Sequence, residues 1–224
     1  MSSFKEMLGQ KFIKFADVNN LKKVQACIDL GVDINATDAD LTPFSQTAAH
    51  VAASMGHTGV IRLLAATGRM DWNKQDPLGM TPLHWALQFG RYEVAAIIMQ
   101  QDGIDFSLRA STGTTVAQLA VLDQNVPMVE ILAKKENCNI WNIPDQSGDT
   151  PIMDAILKGN PDILKILLAC PRVDPNVEDW HGDSPVMMAI KEEKVALAKI
   201  LIKCPRVDLR SKDRDGSSLQ KIAR

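Results

Sequence analysis

Apolar pairs recur along the chain in one register: Leu63–Leu64, Ile97–Ile98, Ile131–Leu132, Ile166–Leu167 and Ile200–Leu201. Val60, Val94, Ile163 and Leu197 each precede the second member of a pair by four residues, which places each set on one helix face. A shorter run of helical spacing comes before each set and opens with a hydroxyl residue: Thr47, Thr81, Thr115, Thr150, Ser184 and Ser218. Such a side chain accepts a hydrogen bond from a free amide of the first turn, so these residues are predicted N-caps. Pro82, Pro151 and Pro185 follow, at the first helical position, where a missing N–H costs nothing. Gly56, Gly90 and Gly159 stand nine residues after their openers and predict left-handed helix ends. Gln124 and Glu193 hold the same place in two other units, which predicts more strained turns there. After the second helix comes a polar stretch, Asp71-Trp72-Asn73 leading to Asp76-Pro77-Leu78-Gly79, or Asp174-Pro175-Asn176 leading to Asp179-Trp180-His181-Gly182. Aspartate, proline and glycine at these offsets predict a β-turn at the tip of a finger.

The openers are spaced at intervals of 34 or 35 residues. An alanine recurs five positions into each unit, at Ala52, Ala86, Ala120, Ala155, Ala189 and Ala223, where a short helix must approach its neighbour closely. A glycine recurs two positions before the opener, at Gly79, Gly113, Gly148, Gly182 and Gly216. Two columns held in register this long identify a repeat architecture.

Thr81-Pro82-Leu83-His84-Trp85-Ala86 matches T-P-L-H-x-A at every specified position, and Gly56-His57 and Asp33-Ile34-Asn35 match further columns. The chain thus resembles the ankyrin-repeat family from about residue 10 to its end. The resemblance implies an all-α solenoid of helix-turn-helix units with short β-hairpin fingers, about six and a half repeats in all. Residues 1–46 are assigned to an irregular N-terminal capping repeat with Phe12, Ile13 and Val24 inside, 47–217 to five regular repeats and 218–224 to a partial repeat. Most units carry one residue beyond the usual length, placed after the second helix, and about four extra residues lie near Leu41 to Ser45. Two of the loops after second helices are near-copies, Cys170-Pro171-Arg172-Val173-Asp174 and Cys204-Pro205-Arg206-Val207-Asp208. The family's signature histidine supports the hairpin through hydrogen bonds, and this role is carried over to His50 and His84.

Composition narrows the function. Aromatic residues make up only 5%, so the core must be built from Ala, Leu, Ile, Val and Met, which suits closely packed helices. A net charge of −2 disfavours nucleic acid as the partner. The basic end, Lys199 to Arg224, reads as a solvated terminus, with phosphate-polymer binding as the rival. No apolar stretch approaches the roughly 20 residues of a membrane span. The expected location is cytoplasmic, with the nucleus left open, and the expected state is monomeric.

No phosphate loop, dinucleotide fingerprint, nucleophile elbow or zinc-protease motif is present, so no catalytic residue, cofactor or small-molecule substrate is expected. Cys27, Cys138, Cys170 and Cys204 form no C-x-x-C pair and read as reduced, packed thiols rather than metal ligands. Asp213, Asp215 and Gly216 read as a turn rather than a calcium loop, since the twelfth position is Arg224.

The resemblance implies a non-catalytic module that binds a partner protein through its concave helix-one face and fingers. The alternative is a regulatory ankyrin segment of a larger enzyme, channel or adaptor. By the same resemblance, contact positions are expected seven and eight residues after each opener: Gln88 and Phe89, Leu122 and Asp123, Leu157 and Lys158, Lys191 and Glu192. Leu78, Met80, Trp180 and His181 join them at the finger tips, and Trp85 and Met188 on helix one. Phe89, Leu122 and Leu157 are expected to form an apolar line across three adjacent units, with Phe89 and Trp180 as aromatic anchors.

Overall fold

Every helix that follows an opener is short, and helices of two turns do not persist alone in water. Their persistence here depends on caps and packing. The computed structural model describes residues 2–38, 45–136, 138–212 and 214–219, with side chains from residue 7 onward. Ala223 and Ile222, and most of the extra stretch near Leu41, lie outside the described residues, as does Asp213.

The described chain divides into two compact units, Met1–Ser111 and Thr112–Arg224. The first holds α1 (Ser2–Asp17), α2 (Leu21–Asp29), α3 (Ala48–Met55), α4 (Thr58–Ala66), α5 (Pro82–Gln88) and α6 (Tyr92–Ile98). The second holds α7 (Val116–Leu122), α8 (Val126–Lys134), α9 (Pro151–Leu157), α10 (Pro161–Ala169), α11 (Pro185–Lys191) and α12 (Val195–Lys203). In the first unit the leading helices stack as α1, α3, α5 and the following helices as α2, α4, α6. The second unit repeats this as α7, α9, α11 and α8, α10, α12.

The recurrent alanines are buried within the leading helices of each unit. Ala52, Ala86, Ala120, Ala155 and Ala189 are each at most 1% exposed. Protein interiors are packed too densely to absorb extra methylenes there. Ala155→Leu is therefore expected to cost about 1–3 kcal/mol, and the same change at exposed Gln124 far less. Urea midpoints that fall equally for both would show that the register is wrong.

The helix ends follow the sequence pattern. Gly56, Gly90 and Gly159 have φ of 81°, 64° and 70°. Gln124 and Glu193 are forced into the same region at 54° and 55°, as their place in the glycine column predicts. Phe12, Ile13 and Val24 are all inside, so α1 and α2 build a true first layer.

The fingers are turns rather than strand pairs. Among the described residues only the isolated bridges Thr37–Thr47 and Lys212–Ser218 form. Three of the tips instead close on an aspartate, while the tip before Thr115 has Ala110 at that place. Asp76 Oδ1 accepts the Leu78 and Met80 amides at 2.9 and 3.0 Å, and the Gly79 amide donates to the Asp76 carbonyl at 2.8 Å. Asp145 and Asp179 repeat this geometry.

Successive repeats are laced by asparagines. Asn35 donates to the Arg69 carbonyl at 3.0 Å and accepts the Asp71 amide at 2.8 Å, and Asn73, Asn142 and Asn176 do the same one repeat further along. The near-copied cysteine loops also have a structural reason. Arg172 donates to the carbonyls of Ala133 and Glu136, at the C-terminal end of α8, and Arg206 to those of Leu168, Cys170 and Val173, at the end of α10. A guanidinium there satisfies the orphan carbonyls that end every helix.

Candidate functional site

The caps that start the leading helices also hold the fingers. The Thr47 hydroxyl lies 2.7 Å from His50 Nδ1, which also accepts the Thr47 amide at 3.2 Å. Nδ1 is thus the acceptor and Nε2 carries the proton, which it shares between the carbonyls of Lys74 at 3.0 Å and Met80 at 3.1 Å. The histidine ties its own helix to the next finger, as the resemblance implies. Burial pushes its pKa down, while nearby Asp76 and the two carbonyls pull it partly back. His84 forms the same box with Thr81. Gln118 repeats it on Thr115, with its amide donating to the Asp149 carbonyl at 2.8 Å. In the next two units the column holds Met153 and Met187, which lack this polar reach.

In the first unit Trp85 is held by a finger aspartate and by one other candidate contact, Phe89. Its indole N–H donates to Asp76 Oδ2 at 2.7 Å, and Gln46 donates to the same oxygen at 3.3 Å. Phe89, one turn on, stacks on Trp85 with ring centroids 5.6 Å apart and planes 7° apart. Phe89 remains 49% exposed, so the stack fixes one ring while leaving its other face to solvent. Leu78 at the tip and Gln88 on α5 are also exposed.

In the second unit Leu157 and Lys158 are exposed at the end of α9, and Asp123 is exposed beside half-buried Leu122. Trp180 and His181 are exposed at a tip, while Lys191 pairs with Asp183 at 2.6 Å. The Trp180 indole donates to the Gln146 carbonyl at 3.1 Å. A Cβ on Gly148 would meet the Trp180 ring at 2.5 Å and its backbone nitrogen at 2.8 Å, so only glycine lets the fingers stack this closely. Trp180 therefore carries finger packing as well as an exposed face. The expected line through Phe89, Leu122 and Leu157 divides between the units: Phe89 belongs to the first, Leu122 and Leu157 to the second.

Two expected contacts are corrected. Met80 is 8% exposed, because its amide and carbonyl are both bound and draw the residue in beneath the finger. Met188 is likewise 8% exposed: a thioether at the place of Trp85 is small enough to enclose, whereas the indole is left half-buried. Asp76 and Asp154 were not among the expected contacts. The available signal was the column five residues before the opener, Asp76, Asp145 and Asp179, read together with the column four after it, Trp85, Asp154 and Met188.

The thiols Cys27, Cys138 and Cys170 are buried, and all four cysteines are free. Burial pushes the Cys138 thiol up to about 12, which leaves it a poor nucleophile and a poor metal ligand. Among the described residues no helix is long and apolar enough to cross a membrane.

Comparison with known proteins agrees with this geometry. Over 160 residues the chain is 28% identical to a putative palmitoyltransferase ZDHHC13 of Danio rerio, matching 70% of this chain and 24% of that one. It is 26% identical to Rabankyrin-5 of Mus musculus over 145 residues, 65% of this chain and 12% of the other. It is 31% identical to the probable 26S proteasome regulatory subunit p28 of Saccharomyces cerevisiae over 100 residues, 45% of this chain and 42% of that one. The chain thus spans only a small part of the first two relatives. The crystal structure of the ankyrin repeat domain of Bcl-3 superposes with a TM-score of 0.83 at 19% identity, covering 95% of this chain and 93% of that one, and shares the fold. The family model for ankyrin repeats in three copies matches residues 12–110 and again 103–179. With this match, the repeated T-P-L-H-x-A helices and the aspartate-closed fingers, the chain belongs to the ankyrin-repeat family.

Proposed function

We propose that the protein is a non-catalytic module that binds a partner protein through its leading-helix faces and finger tips. The observation that carries this reading is the Trp85–Phe89 stack, which holds a half-exposed phenyl ring in a fixed pose. A pre-ordered aromatic loses little entropy on binding and makes a strong anchor. Exposed Leu78 at the finger tip, and Leu157 in the second unit, add apolar surface of the kind that marks interaction sites.

Phe89→Ala is expected to weaken partner binding by at least about 1 kcal/mol, roughly fivefold in Kd, with the melting temperature nearly unchanged. Trp180→Ala is a less clean probe, since it also loosens the packing on Gly148. Partner isolated from native extract and titrated against wild type, Phe89→Ala and the control Arg62→Ala measures this. Full affinity retained by Phe89→Ala would move the interface off this face.

A second reading, an ankyrin segment that regulates a larger enzyme or adaptor, is favoured by the small share of the palmitoyltransferase and Rabankyrin-5 that the chain matches. An immunoblot of native source separates the two, since a segment of a larger protein runs well above 24.6 kDa.

A further inference from the structure

The first unit shows what a finger aspartate does with its outer oxygen. Asp76 Oδ2 takes the Trp85 indole N–H at 2.7 Å, donated from four residues after the opener. In the register of the second unit, Asp145 stands for Asp76 and Asp154 for Trp85. A carboxylate thus replaces the donor, and among the described residues Asp145 accepts two turn amides, from Ser147 and Asp149. Asp154 is 4% exposed, and its Oδ2 has no hydrogen-bond partner among the described residues. A buried carboxylate oxygen without a partner is costly and calls for a donor.

The surroundings say what kind of donor fits. Asp145 and Asp149 both lie close enough to Asp154 to repel its charge, and a side-chain hydrogen bond from Gln118 favours that charge. Lys158, the cation nearby, sits exposed at the end of α9 and offsets them only weakly. Asp149 feels the negative charge of Asp179 as well, and His181 offsets it only in part. Three carboxylates with one uncommitted buried oxygen favour a group that brings positive charge and several N–H bonds in one plane. A guanidinium has five such bonds in a fixed fork, whereas an ammonium is a compact point charge.

We infer that the acidic cluster of Asp145, Asp149 and Asp154 on the leading-helix face of the second unit receives an arginine side chain of the bound partner. This rests on the partner-binding reading above. The arginine supplies, from outside, the donor that Trp85 supplies to Asp76 from within. It enters beside Asp145 and Asp149, which are only half-buried, and on binding uncovers the enclosed Asp154 oxygen and bridges it to Asp145.

The probe is a blocked tripeptide, acetyl-Gly-Arg-Gly-amide, added to the full chain with aspartate carboxyls labelled for carbon NMR. Citrulline and lysine peptides are the controls. At up to about 10 mM, well above a millimolar Kd, the arginine peptide is expected to shift the Asp145 and Asp154 resonances saturably and leave exposed Asp123 unmoved. It should also lower the Asp154 titration midpoint by about one unit or more, since a cation favours the charged form. Asp154→Asn should weaken the arginine response about tenfold, with folding checked by circular dichroism. No shift at Asp154, or an equal response to citrulline or lysine, overturns the inference. If that happens while the partner still cross-links at Leu157, the arginine assignment fails alone and the partner-binding reading stands.

Discussion

Asp154→Asn is expected to stabilise the protein by roughly 2–4 kcal/mol at about pH 8, and to change stability little at about pH 4. Burial is the main cause: it pushes the Asp154 carboxyl up to about 7, with repulsion from Asp145 and Asp149 adding to it. The sign follows from proton binding. Between the unfolded value near 4 and the folded value near 7, the folded chain holds a proton that the unfolded chain releases. Stability therefore falls as pH rises through that window and levels off above it. Asparagine keeps the shape, carries no charge and removes the slope. Urea midpoints of the two proteins at both pH values measure it. A variant no more stable than wild type at pH 8 would show that the carboxylate is hydrated or paired in solution.

His50→Ala is expected to cost about 3–5 kcal/mol near neutral pH. The change strands the buried Thr47 amide, takes a donor from the carbonyls of half-buried Lys74 and of Met80, which keeps the Asp76 amide, and leaves a void. The histidine also carries a pH signature. Its folded pKa lies below the ordinary value because of burial, so below about pH 6.5 the unfolded chain takes up a proton that the folded chain refuses. Its contribution is fully present above that pH and is lost as pH falls towards the lowered folded value. Acid sensitivity in this window should thus be weaker in the variant than in wild type. A loss under about 1 kcal/mol would place the hold on the finger elsewhere.

The fold was legible because its determinants are local and repeated. Thr81 caps, Pro82 starts, Ala86 packs and Gly90 ends, and the same columns return in unit after unit. Even the exceptions were readable, since Gln124 and Glu193 adopt the left-handed turn that their column requires. The binding faces were only partly legible. Phe89 and Leu157 could be placed at the exposed ends of their helices by carrying the family resemblance onto the repeat register. Met80 could not, because its burial follows from the fixing of its backbone by Asp76 and His50, two residues on different elements. The bond from Trp85 to Asp76 crosses nine positions of sequence, and neither residue is remarkable alone. The arginine clamps of Arg172 and Arg206 were visible only as a copied loop, since their targets lie 33 to 39 residues away.

The central claim is that a partner protein docks on the leading-helix faces. A photo-crosslinking amino acid placed at Phe89 or Leu157, compared with Arg62 on α4 or Glu130 on α8, tests it most directly. All four positions are exposed, so differences in yield report on contact rather than access. The account predicts partner adducts from Phe89 and Leu157 and few from Arg62 and Glu130. Adducts confined to Arg62 and Glu130 would contradict it and put the partner on the following helices instead.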